Sequence, residues 1–354
     1  MLASLRGNLN GLVKAKYKAA RAAQSLIFSS TELAIIETEA SVPFQLRYCP
    51  ALAKKPQKDA STEDVKDKSK KPDPFDNPDE ALLIAQLPEE NPSHLLVLNK
   101  YPVIPEHFIL ATKQNKQQTA LLERDDLEAM HACLKGWEEA SSNSEPKRLF
   151  AFFNSGDHSG ASQPHRHVQF LPVEEMAGDC ETGRWKMLID IIEDQAPSQG
   201  MGYSDLISHP DLPFLHYGQR ITPDIDATGL FELYTRLYRA AESAVRLYIE
   251  KNPGTLRLHP TEGESNPISY NLGLTTSFMA ICPRRKEGET LLRSDGSEIG
   301  SVALNGTLLA GTLMVKNEEE WELLKSNKSK FDEILGAVGI PSNARDPKFE
   351  YNKI

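Results

Sequence analysis

Four cysteines are scattered over 354 residues, at Cys49, Cys133, Cys180 and Cys282, and no two form a CxxC pair. That spacing argues against a thiolate zinc site and fits a reducing compartment. No run of about 18 apolar residues occurs, so no membrane-spanning helix is expected. A basic surplus is missing as well: 40 Lys and Arg stand against 50 Asp and Glu, for a net charge of -10. Duplex nucleic acid is therefore not an expected partner. A polyphosphate would have to be held by local cations and backbone donors against an unfavourable overall field.

Acids are also absent from residues 1–31, which carry Arg6, Lys14, Lys16, Lys18 and Arg21. A mitochondrial transit peptide has such a composition. Leu12, Val13, Tyr17, Ala20 and Ala23 recur at roughly helical spacing, which instead describes an amphipathic helix over 10–26 with a basic solvent face. The segment is expected to be that helix. With it goes a cytoplasmic location, the nucleus being an additional compartment and mitochondrial import the lesser alternative.

Large aliphatic residues are nearly missing from 56–72, where Val65 is the exception. A segment this polar does not bury enough to offset its ordering entropy, so a mobile surface loop is expected there. Around it, strands are expected at Pro43–Tyr48, Ser93–Leu98, His107–Ala111, Arg148–Phe153, His165–Leu171, Tyr270–Leu274 and Phe278–Cys282, with one or two more in 301–315. Helices are expected at 119–140, 185–192, 229–250 and 318–338, the last stopped by Gly339 and Pro341. A linker rich in Gly and Pro spans 196–214. The expected fold is α+β: a mostly antiparallel sheet with flanking helices, a catalytic region over 1–200 and a carboxy-terminal region over 201–354.

The chemistry concentrates in His165-Arg166-His167-Val168-Gln169. Strand side chains alternate faces, so His165, His167 and Gln169 share one face and Arg166 and Val168 the other. Two imidazoles and an amide in line make a polar surface rather than a core stripe. A solvated strand that happens to hold histidine is the plainer alternative. A metal pair is another, with His158, His94 or His107 as the third ligand. The preceding loop, Asn154 to Gln163, is small and polar. Its glycines let backbone amides approach an anion, and Ser159 and Ser162 add donors. Together, loop and strand suggest a phosphate chain lying along the loop with its phosphorus facing an imidazole. Neutral imidazole is a competent nucleophile, and a covalent intermediate splits one displacement into two. The other ring nitrogen needs an acceptor, and a carbonyl near His165 is the expected one.

These residues resemble the fungal diadenosine tetraphosphate phosphorylases, also called ATP adenylyltransferases, of the histidine-triad superfamily. The catalytic segment is Gly160-Ala161-Ser162-Gln163-Pro164-His165-Arg166-His167-Val168-Gln169. Three further segments resemble the family: Phe44–Arg47 with Leu52–Pro56 and Pro74-Phe75, Asn99–Pro102 with Pro105–Phe108, and Tyr270–Leu272 through Thr275–Phe278 to Pro283–Lys286. The resemblance implies a histidine-triad-like sheet with a carboxy-terminal extension. It implies that His167 is the nucleophile, that His165 orients it, and that Lys54, Asn154, Gly160, Ala161, Ser162, Gln163 and Gln169 contact phosphates or ribose. Asn99 and Lys100 would line the nucleoside pocket, and Thr275, Thr276, Ser277, Cys282 and Lys286 would complete the site. His107 is read as structural, closing its turn.

Histidine-triad hydrolases carry a third histidine where this chain has Gln169. Glutamine does not titrate, which fits an intermediate that waits for an anionic acceptor rather than water. The resemblance implies phosphorolysis of diadenosine tetraphosphate to ATP and ADP through an adenylyl-histidine. It also implies conversion of adenosine phosphosulfate and phosphate to ADP and sulfate. The partners are adenine nucleotides and inorganic phosphate, with magnesium accompanying the nucleotide and no protein metal cage. A sugar-phosphate uridylyltransferase, whose family shares the histidine-x-histidine-x-glutamine pattern, and a non-catalytic nucleotide sensor are the alternatives.

Overall fold

Strands from both ends of the chain meet in one sheet in this computed structural model, which describes residues 8–54, 72–139, 147–178, 185–196 and 206–342. The loop expected at 56–72 lies outside the described residues except for Pro72. In chain order the elements are α1 (Leu9–Ala22), β1 (Glu32–Glu37), β2 (Pro43–Tyr48), a 3-10 turn (Pro50–Lys54), β3 (Leu83–Leu87), β4 (His94–Leu98), β5 (Phe108–Thr112), α2 (Arg124–Glu139), β6 (Leu149–Ser155) and β7 (His167–Pro172). There follow α3 (Val173–Ala177), α4 (Leu188–Glu193), β8 (Tyr217–Arg220), α5 (Ala227–Lys251), β9 (Ser269–Leu274), β10 (Phe278–Arg284), β11 (Gly288–Leu292), β12 (Glu298–Ala303), a second 3-10 turn (Gly306–Ala310), β13 (Thr312–Val315), α6 (Glu318–Ser326) and α7 (Lys328–Val338).

The main sheet runs β3-β4-β5-β7-β6-β9-β10-β8 and is antiparallel at every pairing. β1, β2 and β13 form a smaller sheet in which β13 runs parallel to β2. The α+β expectation holds. The pairing of β6 with β9, from Ala151 opposite Leu274 to Ser155 opposite Tyr270, ties the region before residue 200 to the region after it. The two regions share one sheet.

Alternation sorts the sheet into two faces. Val168 and Phe170 of β7 join Ala151 and Phe153 of β6 in a core covered by Leu127, Met130, Leu134 and Trp137 of α2 and by Leu233 and Leu237 of α5. Phe150 and Phe152 of β6, Leu171 of β7 and Ala280 of β10 lie on the opposite face. They pack there beneath Ile189 of α4, Leu308 and Leu309 of the second 3-10 turn, and Leu335 of α7. α1 buries Leu9, Val13, Tyr17 and Ala20 and leaves Lys14, Lys18 and Arg21 exposed. Leu12 and Ala23, expected in the buried stripe, face solvent.

Two helix boundaries differ from expectation for identifiable reasons. α2 starts at Arg124 rather than 119 because Thr119 and Ala120 are drawn away from it. The carbonyl of Thr119 accepts from Asn266, and Ala120 bridges to Ser265. The helix expected over 318–338 is broken at Asn327. This residue sits extended at φ -135° and ψ 92°, and its side chain accepts Lys330 N at 2.9 Å, capping α7.

Candidate active site

β7 starts at His167, two residues later than expected, because a side chain enters the sheet there. The Gln118 amide accepts His167 N at 2.7 Å and donates to Asn154 O at 2.7 Å and His167 O at 3.2 Å. It substitutes for the ladder between β6 and β7 and spreads the strands at that point. His165 lies just before the strand, in an isolated bridge with Gln117.

His167 is buried, and its Nδ1 donates to the carbonyl of His165 at 2.8 Å. This is the acceptor expected from the sequence, and it fixes the proton on Nδ1. The Nε2 lone pair is left as the reactive one. Burial pushes the imidazole down to about 4, so the ring is neutral at pH 7. The Phe75 ring lies 5.4 Å from it, tilted by 36°.

His165 has both ring nitrogens engaged, Nε2 with Thr112 O at 2.7 Å and Nδ1 with Asp73 Oδ2 at 2.6 Å. Asp73 also accepts Asn115 Nδ2 and Phe75 N, each at 2.9 Å. The two histidines therefore do not share an ion, and the metal alternative loses its pair. Of the three candidate third ligands, His94 meets Asp126 of α2 at 2.9 Å and His107 meets Asn99 and Gln169. Among the described residues no group of three His, Cys, Asp or Glu converges on a metal position.

Gln169 is oriented by a chain of fixed polarity. Asn99 donates to His107 Nδ1 at 3.0 Å, since that residue's own Oδ1 accepts Tyr101 N. His107 is held neutral, pushed to about 4 by burial, so its Nε2–H donates to Gln169 Oε1 at 3.1 Å. The Gln169 NH₂ is thereby turned away from His107 and available as a donor. His107 is thus more than the turn-closing residue expected, and Asn99 acts on it rather than standing alone as a pocket residue.

Across the strand gap, Asn154 Oδ1 accepts Gly306 N at 2.8 Å and Asn271 Nδ2 at 2.9 Å. A Cβ at residue 306 would come within 2.8 Å of Asn154 Oδ1, so the approach requires glycine. Asn154 Nδ2 is buried with no protein partner. Asn271 Nδ2 also donates to Ser159 O at 2.8 Å, and Asn271 Oδ1 accepts from Arg284. Arg284 is almost wholly buried. Its remaining donors go to the carbonyls of Val338, Lys286, Glu287 and Leu304, and burial lowers its pKa to about 10. Its hydrogen-bond partners include no carboxylate.

The loop between β6 and β7 turns through Gly156 at φ 86° and Gly160 at φ 76°. A Cβ at residue 160 would strike Leu304 O and Asn305 Cβ at under 3.0 Å, so the loop packs against backbone from the carboxy-terminal region. Ser159 is buried and directs its hydroxyl to Gly156 O at 2.6 Å, inside the loop. Gly160, Ala161 and Gln163 are half-buried and Ser162 is exposed, leading directly into the histidine segment.

Other expected site residues stand elsewhere. Lys54 ends the first 3-10 turn, and its side chain lies outside the described residues. Lys100 is exposed. Thr275, Thr276 and Ser277 form the β9–β10 turn, level with Leu171 by strand register, roughly 13 Å along the sheet from His167. There Thr276 donates to Glu138 at 2.8 Å and Ser277 to Glu193 at 3.0 Å, carboxylates that oppose a polyphosphate. The structure does not bring these three to His167. Cys282 shares a face with Asn271 but is fully buried among apolar groups, its thiol pushed up to about 12 by burial and bonded to Pro283 O. It serves as core. Lys286 pairs with Glu289 at 2.9 Å on the surface. A cavity of about 1040 Å³ beside β1, lined by Phe28, Arg47, Val103 and Lys328 among others, contains neither His165, His167 and Gln169 nor Asn154 and its partners.

Sequence reading missed Asp73, Gln118 and the supporting roles of His107, Asn271 and Arg284. Asn271 and Arg284 lie in segments of family resemblance, which was the available signal. Asp73 and Gln118 carry none.

Two family models together match most of the chain. Residues 2–182 match the Ap4A phosphorylase N-terminal domain, and residues 210–341 match the ATP adenylyltransferase C-terminal domain. Protein APA1 of Saccharomyces cerevisiae is 26% identical over 358 residues, covering 99% of both chains. Diadenosine 5',5'''-P1,P4-tetraphosphate phosphorylase 2 of the same yeast is 25% identical over 326 residues, 89% of each. The fold matches the crystal structure of yeast Ap4A phosphorylase Apa2 with a TM-score of 0.73 at 23% identity, over 98% of this chain and 99% of that one. A chain matched along nearly its whole length by these family models and relatives belongs to the Ap4A phosphorylase family.

Proposed function

We propose that this enzyme phosphorolyses diadenosine tetraphosphate to ATP and ADP by way of an adenylyl group carried on His167. The α-phosphorus of one adenosine sits against His167 Nε2. A P–N bond forms as the P–O bond to the neighbouring phosphate breaks, and ATP leaves. Inorganic phosphate then displaces the imidazole, giving ADP and the free neutral ring. The observation that carries the reading is the fixed tautomer, a neutral imidazole with Nδ1–H on the His165 carbonyl at 2.8 Å.

Two amide NH₂ groups, of Gln169 and Asn154, lie on the same face as His167 and supply donors for the non-bridging oxygens. Neither amide titrates, so neither activates water, and the adenylyl group waits for phosphate. The glycine loop from Gly160 to Gln163 takes the remaining phosphates on its backbone amides. Magnesium enters with the polyphosphate as part of the substrate. Adenosine phosphosulfate is a second adenylyl donor, with sulfate as leaving group. The yeast relatives named for Ap4A phosphorolysis support the choice of substrate.

The test is a product assay with diadenosine tetraphosphate in the presence and absence of phosphate. ATP and ADP in equal amounts, with turnover only when phosphate is added, are expected. Steady production of AMP and ATP without phosphate would make the enzyme a hydrolase and overturn the role given to Gln169.

A further inference from the structure

We infer that Asn271, held by Arg284, is a positioning residue for adenylyl transfer: it fixes the amide of Asn154 with its NH₂ directed into the phosphoryl site beside His167. This rests on the reading of the site as a polyphosphate-cleaving centre.

The direction of every amide in the chain is set by groups with one possible role. Arg284 only donates, so the atom of Asn271 that it meets is the carbonyl oxygen. Ser159 O only accepts, so the atom of Asn271 that it meets at 2.8 Å is the NH₂. The same NH₂ donates to Asn154 at 2.9 Å, and Gly306 N–H donates to the same Asn154 atom at 2.8 Å. Both neighbours of that atom are donors, so it is the oxygen. The nitrogen of Asn154 is left as the outward group.

That nitrogen is buried and has no protein partner. A buried donor left open is rare, and one held open by three determinate contacts is placed for an acceptor that arrives with the substrate. Asn154 continues the face of Phe152, whose cross-strand partner is Gln169, and His167 is on that same face two residues earlier. Gln118, bonded to the backbones of both Asn154 and His167, separates the strands there. The open donor, the Gln169 NH₂ and His167 Nε2 therefore border one space. Arg284 adds a buried guanidinium with no carboxylate among its hydrogen-bond partners, a positive field that suits an incoming polyphosphate. Residues far along the chain, after β9 begins, thus complete a site whose nucleophile is on β7.

The experiment is a double-mutant cycle on the first half-reaction, release of ATP from diadenosine tetraphosphate without phosphate, followed by rapid quench over a range of substrate concentrations up to saturation. Asn154→Ala is expected to slow it about 100-fold, the size of losing one preorganised donor. Asn271→Ala should slow it about 30-fold in the wild-type background, and by less than about threefold in the Asn154→Ala background, because its effect runs through Asn154. The loss should fall on the rate constant and not on KM. Asn271→Asp keeps the shape and the acceptor for Arg284 but presents an oxygen to Asn154; it should be at least as slow as Asn271→Ala. Arg284→Lys keeps the charge without the fork and should fall between wild type and Asn271→Ala. Equal slowing by Asn271→Ala in both backgrounds would overturn the inference and reduce Asn271 to a structural group. A wild-type enzyme that releases no ATP would instead sink the reading of the reaction itself, so the two failures are distinguishable.

Discussion

The two faces of the central sheet bury arginine in opposite ways. On the face covered by α2 and α5 Arg166 meets Glu123 at 2.7 Å and Asp126 at 2.8 Å, and Asp126 also takes His94 at 2.9 Å. Charge and hydrogen bonds close on themselves there, beneath α2. On the other face Arg284 is bonded only to neutral oxygens, and the chain it begins ends in an open donor on Asn154. Arg166 and His167 are adjacent in sequence yet serve these two regimes, because a strand sends neighbours to opposite faces. A saturated polar network stabilises. An unsaturated one, held open by rigid neighbours, is prepared for a ligand.

The difference can be broken by substitution on either side. His167→Ala should lower turnover by several orders of magnitude in a protein that still folds, since the covalent nucleophile is lost while the sheet pairing around it is kept. Retention of more than about a tenth of the wild-type rate would refute the assignment. Asp126→Ala addresses the closed face: it leaves Arg166 with a single half-exposed carboxylate partner and His94 with none. Urea unfolding should show a loss of about 3 kcal/mol or more, with the rate per folded molecule changed little. A stability change under about 1 kcal/mol would mean that this network is not closed as described.

Acid should weaken both faces. His107 and His167 on the open face and His131 on the closed one are each held neutral to about 4, below the ordinary 6.5. The unfolded chain takes up these protons first as pH falls. Stability is then full above about 6.5 and declines between about 6.5 and 4. The urea midpoint should fall from pH 7.5 to pH 5, and His131→Leu should flatten part of that slope. Over the same range the half-reaction should show no inflection near 6.5 from His167. The smallest effect is expected at the β9–β10 turn: Thr276→Ala should change kcat/KM by less than about twofold. A tenfold loss there would bring the turn into the site despite its Glu138 and Glu193 partners.

What could be read in advance follows from periodicity. The alternation of His165 to Leu171 exposed both the strand and its two faces, and the apolar spacing of α5 gave its ten buried residues their stripe. The tautomer of His167 was also legible, because its acceptor lies two residues away. The supports of the site were not. Asp73 reaches His165 across 92 residues and Asn271 reaches Asn154 across 117, so no local pattern marks them. The resemblance put Thr275 to Ser277 in the site, and only the strand register shows that this turn stands roughly 13 Å along the sheet from His167, because a motif carries no distances. Short strands such as β1 and β8 escaped because neither shows clean alternation of burial.

The central claim is a covalent adenylyl group on His167, and trapping it is the most direct test. Diadenosine tetraphosphate labelled in the α-phosphates, mixed with enzyme in the absence of phosphate and denatured in base, should leave up to one label per chain on the peptide containing His167. The bond should be acid-labile, and added phosphate should chase the label into ADP. Double-reciprocal initial-rate plots against the two substrates should then be parallel. Intersecting plots with no label on the protein would contradict the account and assign the transfer to direct attack by phosphate in a ternary complex.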